Sequence, residues 1–221
     1  MKLLTDGASN PKTAKSTGYG YLTGILHLAP HTQSGYQVCP SATEGCSTAC
    51  LYFQGRGRMN TVQEARIRKT RMFFENRAGF MADLEKDIAS IVRRADKNNL
   101  KPCVRLNGTS DIRWERTGIM EKFPNVIFYD YTKIKNRKRL PKNYSLTFSR
   151  SEATTHDEWR KAIDNGMNVA VVFRDAMPES WLGVPVIDGT THDLRFLDPK
   201  PCIVGLTAKG SAKKDTSGFV V

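Results

Sequence analysis

Seven short apolar runs, each the length of a buried strand, constrain the fold of this chain more than any other feature. They are Tyr21–Ala29, Cys103–Leu106, Val126–Tyr131, Tyr144–Phe148, Val169–Phe173, Val184–Ile187 and Cys202–Leu206, rich in Val, Ile, Phe and Tyr. Segments of helical character lie between them. Residues 61–75 read as a helix, with Thr61 and Glu64 fitting a capping box. Residues 78–97 read as a second, with Phe80, Leu84, Ile88, Ile91, Val92 and Ala95 on one core-facing side. Shorter helices fit 115–122, 133–138 and 155–165, the last with Trp159, Ile163 and Gly166 as its C-terminal cap. Strands alternating with helices predict an α/β fold with a mostly parallel sheet, arranged as a compact or incomplete (β/α) barrel. An open doubly wound sheet is the rival arrangement.

The 221 residues suit a single α/β domain over 21–221, with a cysteine-motif loop at 39–58. Residues 1–20, rich in Lys, Ser, Thr, Gly and Asn, read as an irregular N-terminal segment. A chain of this length with 39% hydrophobic residues buries a core without disulfide staples. No apolar stretch approaches the ~20 residues that span a bilayer. Met1–Lys15 is polar and has no signal-like apolar region, so the expected location is the cytoplasm, away from membranes. The formal net charge of +12 favours a polyanionic partner, nucleic acid or a nucleotide, over a merely soluble basic surface.

Five cysteines, an odd number, in an expected reducing compartment argue against a disulfide framework. Cys39, Cys46 and Cys50 lie in VCPSATEGCSTACL with spacing C-x6-C-x3-C. Three thiolates in one short loop suit a soft centre, and three protein ligands leave one coordination position open. The expected cofactor is a [4Fe–4S] cluster, with zinc as the alternative. Pro40 and Gly45 let the loop fold back on itself, and Arg56 and Arg58 are placed to offset the charge of a thiolate-bound centre. A fourth ligand has candidates in His27, His31, Cys103, Cys202 or a carboxylate. Cys103 and Cys202 sit in or beside apolar strands and read better as buried structural cysteines.

In parallel α/β folds reactive groups gather where strands end. Here the strand ends carry Arg105, Asn107, Ser110 and Asp111; then Asp130, Tyr131 and Lys133; then Ser149 and Glu152; then Asp188, Asp193 and Lys209. Arg105, Asn107, Asp111, Lys133, Glu152 and Asp188 are the candidate catalytic residues, with the carboxylates accepting protons or binding a hydroxyl. Ser110, Tyr131, Ser149, Asp193 and Lys209 are the candidates for holding a cofactor. Lys133 and Lys209 suit a phosphate or carboxylate. Two basic stretches, Arg56 to Arg71 and Lys133 to Lys142, add candidate nucleic-acid contacts at Arg56, Arg58, Lys135, Arg137, Lys138 and Arg139. No P-loop, nucleophile elbow or H-E-x-x-H motif occurs.

The series VCPSATEGCSTACL, GRGR, VRLNGTSDIRWE, FYDYTK, YSLTFSRSE, NVAVVF, VIDGTTHDLRFLD and VGLTAKG resembles a phage- and plasmid-borne family, the gene-product-eighty-eight-like proteins, from about Asn10 to Val221. The resemblance implies a mobile-element origin. A looser architectural similarity is to radical S-adenosylmethionine enzymes, which join a three-cysteine cluster to a partial barrel but space their cysteines C-x3-C-x2-C. That similarity brings S-adenosylmethionine into view as a second cofactor, although no glycine motif for it is present. Two functions are therefore expected. One is an iron–sulfur enzyme acting on a nucleotide or nucleic acid. The other is a non-catalytic protein that binds nucleic acid or a host factor and uses its metal structurally.

Overall fold

The computed structural model describes residues 1–6 and 14–221. All seven expected strands form. They are β2 (Tyr21–Leu26), β3 (Lys101–Arg105), β4 (Ile127–Thr132), β5 (Tyr144–Ser149), β6 (Val169–Phe173), β8 (Val184–Asp188) and β9 (Ile203–Thr207). Two short strands, β1 (Leu4–Asp6) and β7 (Ser180–Trp181), lie antiparallel at the two edges. The sheet order is β1-β2-β3-β4-β5-β6-β9-β8-β7, and every pairing between the edge pairs is parallel. The sheet does not close, so the incomplete barrel is the version of the expected fold that is realised. β1 falls inside the segment expected to be irregular. Residues 7–13 of that segment lie outside the described residues.

Five α-helices are described: α1 (Glu44–Thr48), α2 (Asn60–Glu75), α3 (Arg77–Lys97), α4 (Ile119–Lys122) and α5 (His156–Asp164). The expected capping box of α2 is absent. The helix starts at Asn60 with Met59 at its N-cap, so Thr61 and Glu64 lie within it. α5 carries a true capping box instead. Thr155 accepts the Glu158 N–H, and Glu158 accepts the Thr155 N–H. Gly166 follows the Asn165 cap at φ +78°, a left-handed position that suits glycine. Residues 133–138 do not form the expected helix. Asn136 and Arg139 take φ of +57° and +56°, which a right-handed helix cannot contain.

The two faces of the sheet are covered differently. On one, α3 presents Phe80, Leu84, Ile88, Ile91 and Ala95 to Leu22, Leu26, Val104, Phe128 and Leu146. Gly24 allows this close approach, since a Cβ there would stand 3.1 Å from Ile91 and 3.2 Å from Leu4. Farther along the same face, α5 contributes Trp159, Ala162 and Ile163 over Phe148, Val169 and Val171. The opposite face holds Cys103, Tyr129, Cys202 and Val204. Among the described residues no α-helix covers it; the connection from β8 to β9, with a 3-10 turn at Arg195–Leu197, turns inward and sets Leu194 and Phe196 against Tyr129 and Tyr21. The same connection buries charge. Arg195 Nε stands 3.3 Å from Asp198 Oδ2, with both side chains 1% exposed.

Candidate functional site

The cysteine loop is built from two local devices. Thr43 caps α1 by accepting the Cys46 N–H at 3.4 Å. Cys46 sits on α1, whereas Cys50 follows the Ala49 C-cap in extended backbone, and both line the same cavity. Cys39 is brought back by the preceding turn: its N–H donates to Gln37 Oε1 at 2.8 Å, and its Sγ lies 3.8 Å from the Thr109 carbonyl. Pro40 and Gly45 do serve a folded-back loop, although α1 lies within it. Gly45 is required by packing, since a Cβ would meet Ser217 Oγ at 2.3 Å and Phe219 Cβ at 2.7 Å.

The result is a single cavity of about 210 Å³ lined by all three cysteines. That is far above the roughly 10–15 Å³ that one water needs. The carboxyl ends of β3, β4 and β5 form its floor through Arg105, Tyr131, Lys133 and Ser149, and the loop after β3 adds Asn107, Ser110 and Asp111. Ten sequence-predicted residues thus meet in one place. Leu51, Ala42, Ala49, Thr109, Pro30 and Phe219 also line it and were not anticipated. Small apolar residues beside a cysteine motif and an aromatic about 170 residues away carry no local signal.

Each polar group in the cavity has an identifiable role. Lys133 Nζ donates to Ser149 Oγ at 2.6 Å and lies 5.3 Å from the Phe219 ring. Arg105 Nη1 donates to Asp193 Oδ2 at 2.9 Å, and its guanidinium lies 4.8 Å from the Tyr131 ring. Burial would lower the Arg105 pKa, but Asp193 and Tyr131 outweigh it, so the group is held charged. Burial pushes Tyr131 up to about 12. Asp111 is a brace: its oxygens accept Thr132 Oγ1 at 2.8 Å and the Lys133 N–H at 2.7 Å. Asn107 is a hub, its Oδ1 accepting from Ser110 Oγ, the Ile112 N–H and Trp114 Nε1. These two residues line the cavity and hold its shape.

Four more predicted residues stand behind the cavity or away from it. Glu152 accepts Thr43 Oγ1 at 2.8 Å and the Gly45 N–H at 2.7 Å, and so ties α1 to the end of β5. Asp193 backs Arg105. Asp188 is exposed at the end of β8 and accepts the Thr190 N–H at 2.7 Å. Lys209 is exposed at the start of the turn after β9. Arg137, expected on a nucleic-acid face, has a fully buried side chain paired with Glu115 and 3.8 Å from Asp111. Its charge is needed inside because Glu115 and Asp111 are there. Lys135 is paired with Glu158 at 2.5 Å, while Lys138 and Arg139 are exposed. Arg56 and Arg58 are exposed as well, and the cations whose fields reach Cys50 are Arg66 and Lys133.

Burial, then the neighbouring thiols, push Cys39 up to about 12; burial likewise raises Cys50. At these two positions burial disfavours the thiolate unless a compensating charge is present. None of His27, His31, Cys103 and Cys202 lines the cavity. Cys103 is wholly buried and lies 3.2 Å from Thr23 Oγ1, and Cys202 is 1% exposed, as expected of structural cysteines. Among the described residues, no three His, Cys, Asp or Glu side chains are grouped closely enough to hold a single metal ion. A zinc ion at Zn–S of about 2.3 Å would require thiolate sulfurs roughly 3.8 Å apart. A cluster, by contrast, sets each thiolate on a different iron and so requires wider spacing of the sulfurs than a lone ion does.

No helix among the described residues is long and apolar enough to cross a membrane. No curated protein and no solved structure matches the chain. The family model described as gene product 88 matches residues 2–221. With that match covering the cysteine motif and every strand-end motif, the chain belongs to the gene product 88 family.

Proposed function

We propose that this protein is an iron–sulfur enzyme of the host-cell cytosol that acts on a nucleotide or nucleic acid, with Cys39, Cys46 and Cys50 holding a [4Fe–4S] cluster. The observation that carries this reading is the convergence of all three thiols on one cavity at the carboxyl ends of parallel strands. When bound, the cluster supplies one-electron chemistry and an iron with a free coordination position. The chain supplies the rest. Lys133 and Arg105 bring two cations to the cavity wall to receive a phosphate or carboxylate. Ser149 and the Asp111 brace aim Lys133, and Asp193 aims Arg105. Ala49 and Phe219, both buried, give the cavity its apolar wall. The cavity cations suit the phosphate or carboxylate of a nucleotide-like ligand, and in S-adenosylmethionine, a net cation, only the carboxylate would meet them.

The test is anaerobic purification followed by iron and sulfide analysis. The expected result is a brown protein with broad absorbance near ~400 nm and about four irons and four sulfides per chain. Replacing all three cysteines by serine should remove both. A colourless protein with one zinc per chain would replace the enzyme by a non-catalytic binding protein with a structural metal.

A further inference from the structure

Behind α1, on the side away from the cysteine cavity, lies a groove of about 650 Å³. Ser47 and Thr48 of α1 form one wall, while Cys46 and Ala49 of the same helix face the cavity. Two chain segments far apart in sequence close the groove: Gly55–Arg58 brings Arg58, and Gly210–Lys214 brings Ser211 and Lys214. Phe53 lines it with 41% of its surface exposed. Among the described residues, no carboxylate lines it.

We propose that this groove binds the backbone of single-stranded nucleic acid, with Arg58 and Lys214 on phosphates and the Phe53 ring under an unstacked base. The proposal rests on the nucleic-acid reading above and deepens it. Hydroxyls and cations without an opposing acid are the donor set that a phosphate backbone takes. The Thr48 carbonyl, which would repel a phosphate, is already occupied by Ser211 Oγ at 2.9 Å, and Gln54 Nε2 donates to that hydroxyl at 3.0 Å. An exposed aromatic in a basic groove serves stacking, which only an unpaired base offers. The competing basic surface at Lys135–Arg139 is weaker on the same criteria. Glu158 lines it and pairs with Lys135, and Arg137 is consumed internally. Only α1 separates the groove from the cavity, and Leu51, 62% exposed, continues from Phe53 to the cavity wall.

Fluorescence anisotropy with a labelled oligothymidylate of about 12 nucleotides tests this. Arg58→Ala with Lys214→Ala should weaken binding at least about tenfold and lower the slope of log K against log salt by about 1.4. Phe53→Ala should weaken it about tenfold. Lys138→Ala with Arg139→Ala should leave it nearly unchanged. Wild-type affinity in the groove variants overturns the proposal. So does a duplex of equal length that binds as tightly and is as sensitive to Phe53→Ala, or polyglutamate that displaces the oligonucleotide at equal charge concentration, which would mark an acidic protein's docking site. Thermal melts confirm that the exposed substitutions leave folding intact. Iron analysis of the same samples separates the two readings: binding without iron upholds the groove and removes the cluster, and iron without binding does the reverse.

Discussion

The two faces of the sheet solve the same covering problem by opposite means. The helix-covered face is mainly apolar, with Phe80, Leu84 and Ile88 fully buried on Phe128 and Leu146, and its few buried charges, Asp130 and Arg137, meet at Tyr144. The opposite face is filled by an irregular connection that buries Arg195, Asp198 and Asp193 and props Arg105 from behind. Apolar burial stabilises in proportion to area and tolerates imperfect geometry. Buried charge contributes little net stability, but it is severe in what it permits: each partner must be present and in place. One face therefore holds the molecule together, and the other fixes the position of a cation in the cavity.

That contrast is open to four tests. Asp198→Ala strands a buried guanidinium and should cost about 5 kcal/mol, measured by urea denaturation. Joint replacement of Arg195 and Asp198 by apolar residues should cost much less, and an equal cost would remove the distinction between the faces. Asp130 gives the next largest effect. Burial raises its carboxyl to about 7, so the folded protein keeps a proton that the unfolded chain loses near pH 4. Stability should fall by about 4 kcal/mol as pH rises from about 4 to about 7 and then level off. Asp130→Asn should flatten that part of the profile. Leu84→Ala on the apolar face should cost about 3 kcal/mol while leaving the iron content of the folded fraction unchanged. Glu152→Gln should cost only about 1–2 kcal/mol in stability, because one carbonyl oxygen remains to accept. With the proposed cluster bound, it should nevertheless speed loss of iron to a chelator, since α1 is less firmly tied down. Unchanged iron retention would show that α1 holds its place without that tie.

The sheet was legible because each parallel strand is a short apolar run that stands out against polar surroundings. The cavity was legible in its floor for a related reason: Arg105, Tyr131, Lys133 and Ser149 follow those runs directly, and parallel strands end on the same side. What stayed hidden depended on partners remote in sequence. Arg137 sits among five basic neighbours between Lys133 and Lys142, yet Glu115 and Asp111 draw it inside. Glu152 looked like a proton acceptor, and its actual partners are Thr43 and Gly45. Arg66 stood in a basic stretch with no clean helical face, but its position on α2 directs it to Tyr52 and Cys50. Local residue type announces chemistry, while the allotment of each charge to wall, brace or solvent follows from long-range packing.

The cavity that gathers the cysteines takes its walls from Pro30 at one extreme and Phe219 at the other. The segment carrying Phe219 is latched by Arg150 to the Gly218 carbonyl at 2.7 Å and by Arg174 to the Lys213 carbonyl at 2.6 Å. During synthesis, then, the three thiols emerge from the ribosome long before the wall that shelters them exists. For the time it takes to translate some 170 further residues they lack that shelter, so protecting the thiols from oxidants becomes a matter of timing, settled when the Phe219 segment docks.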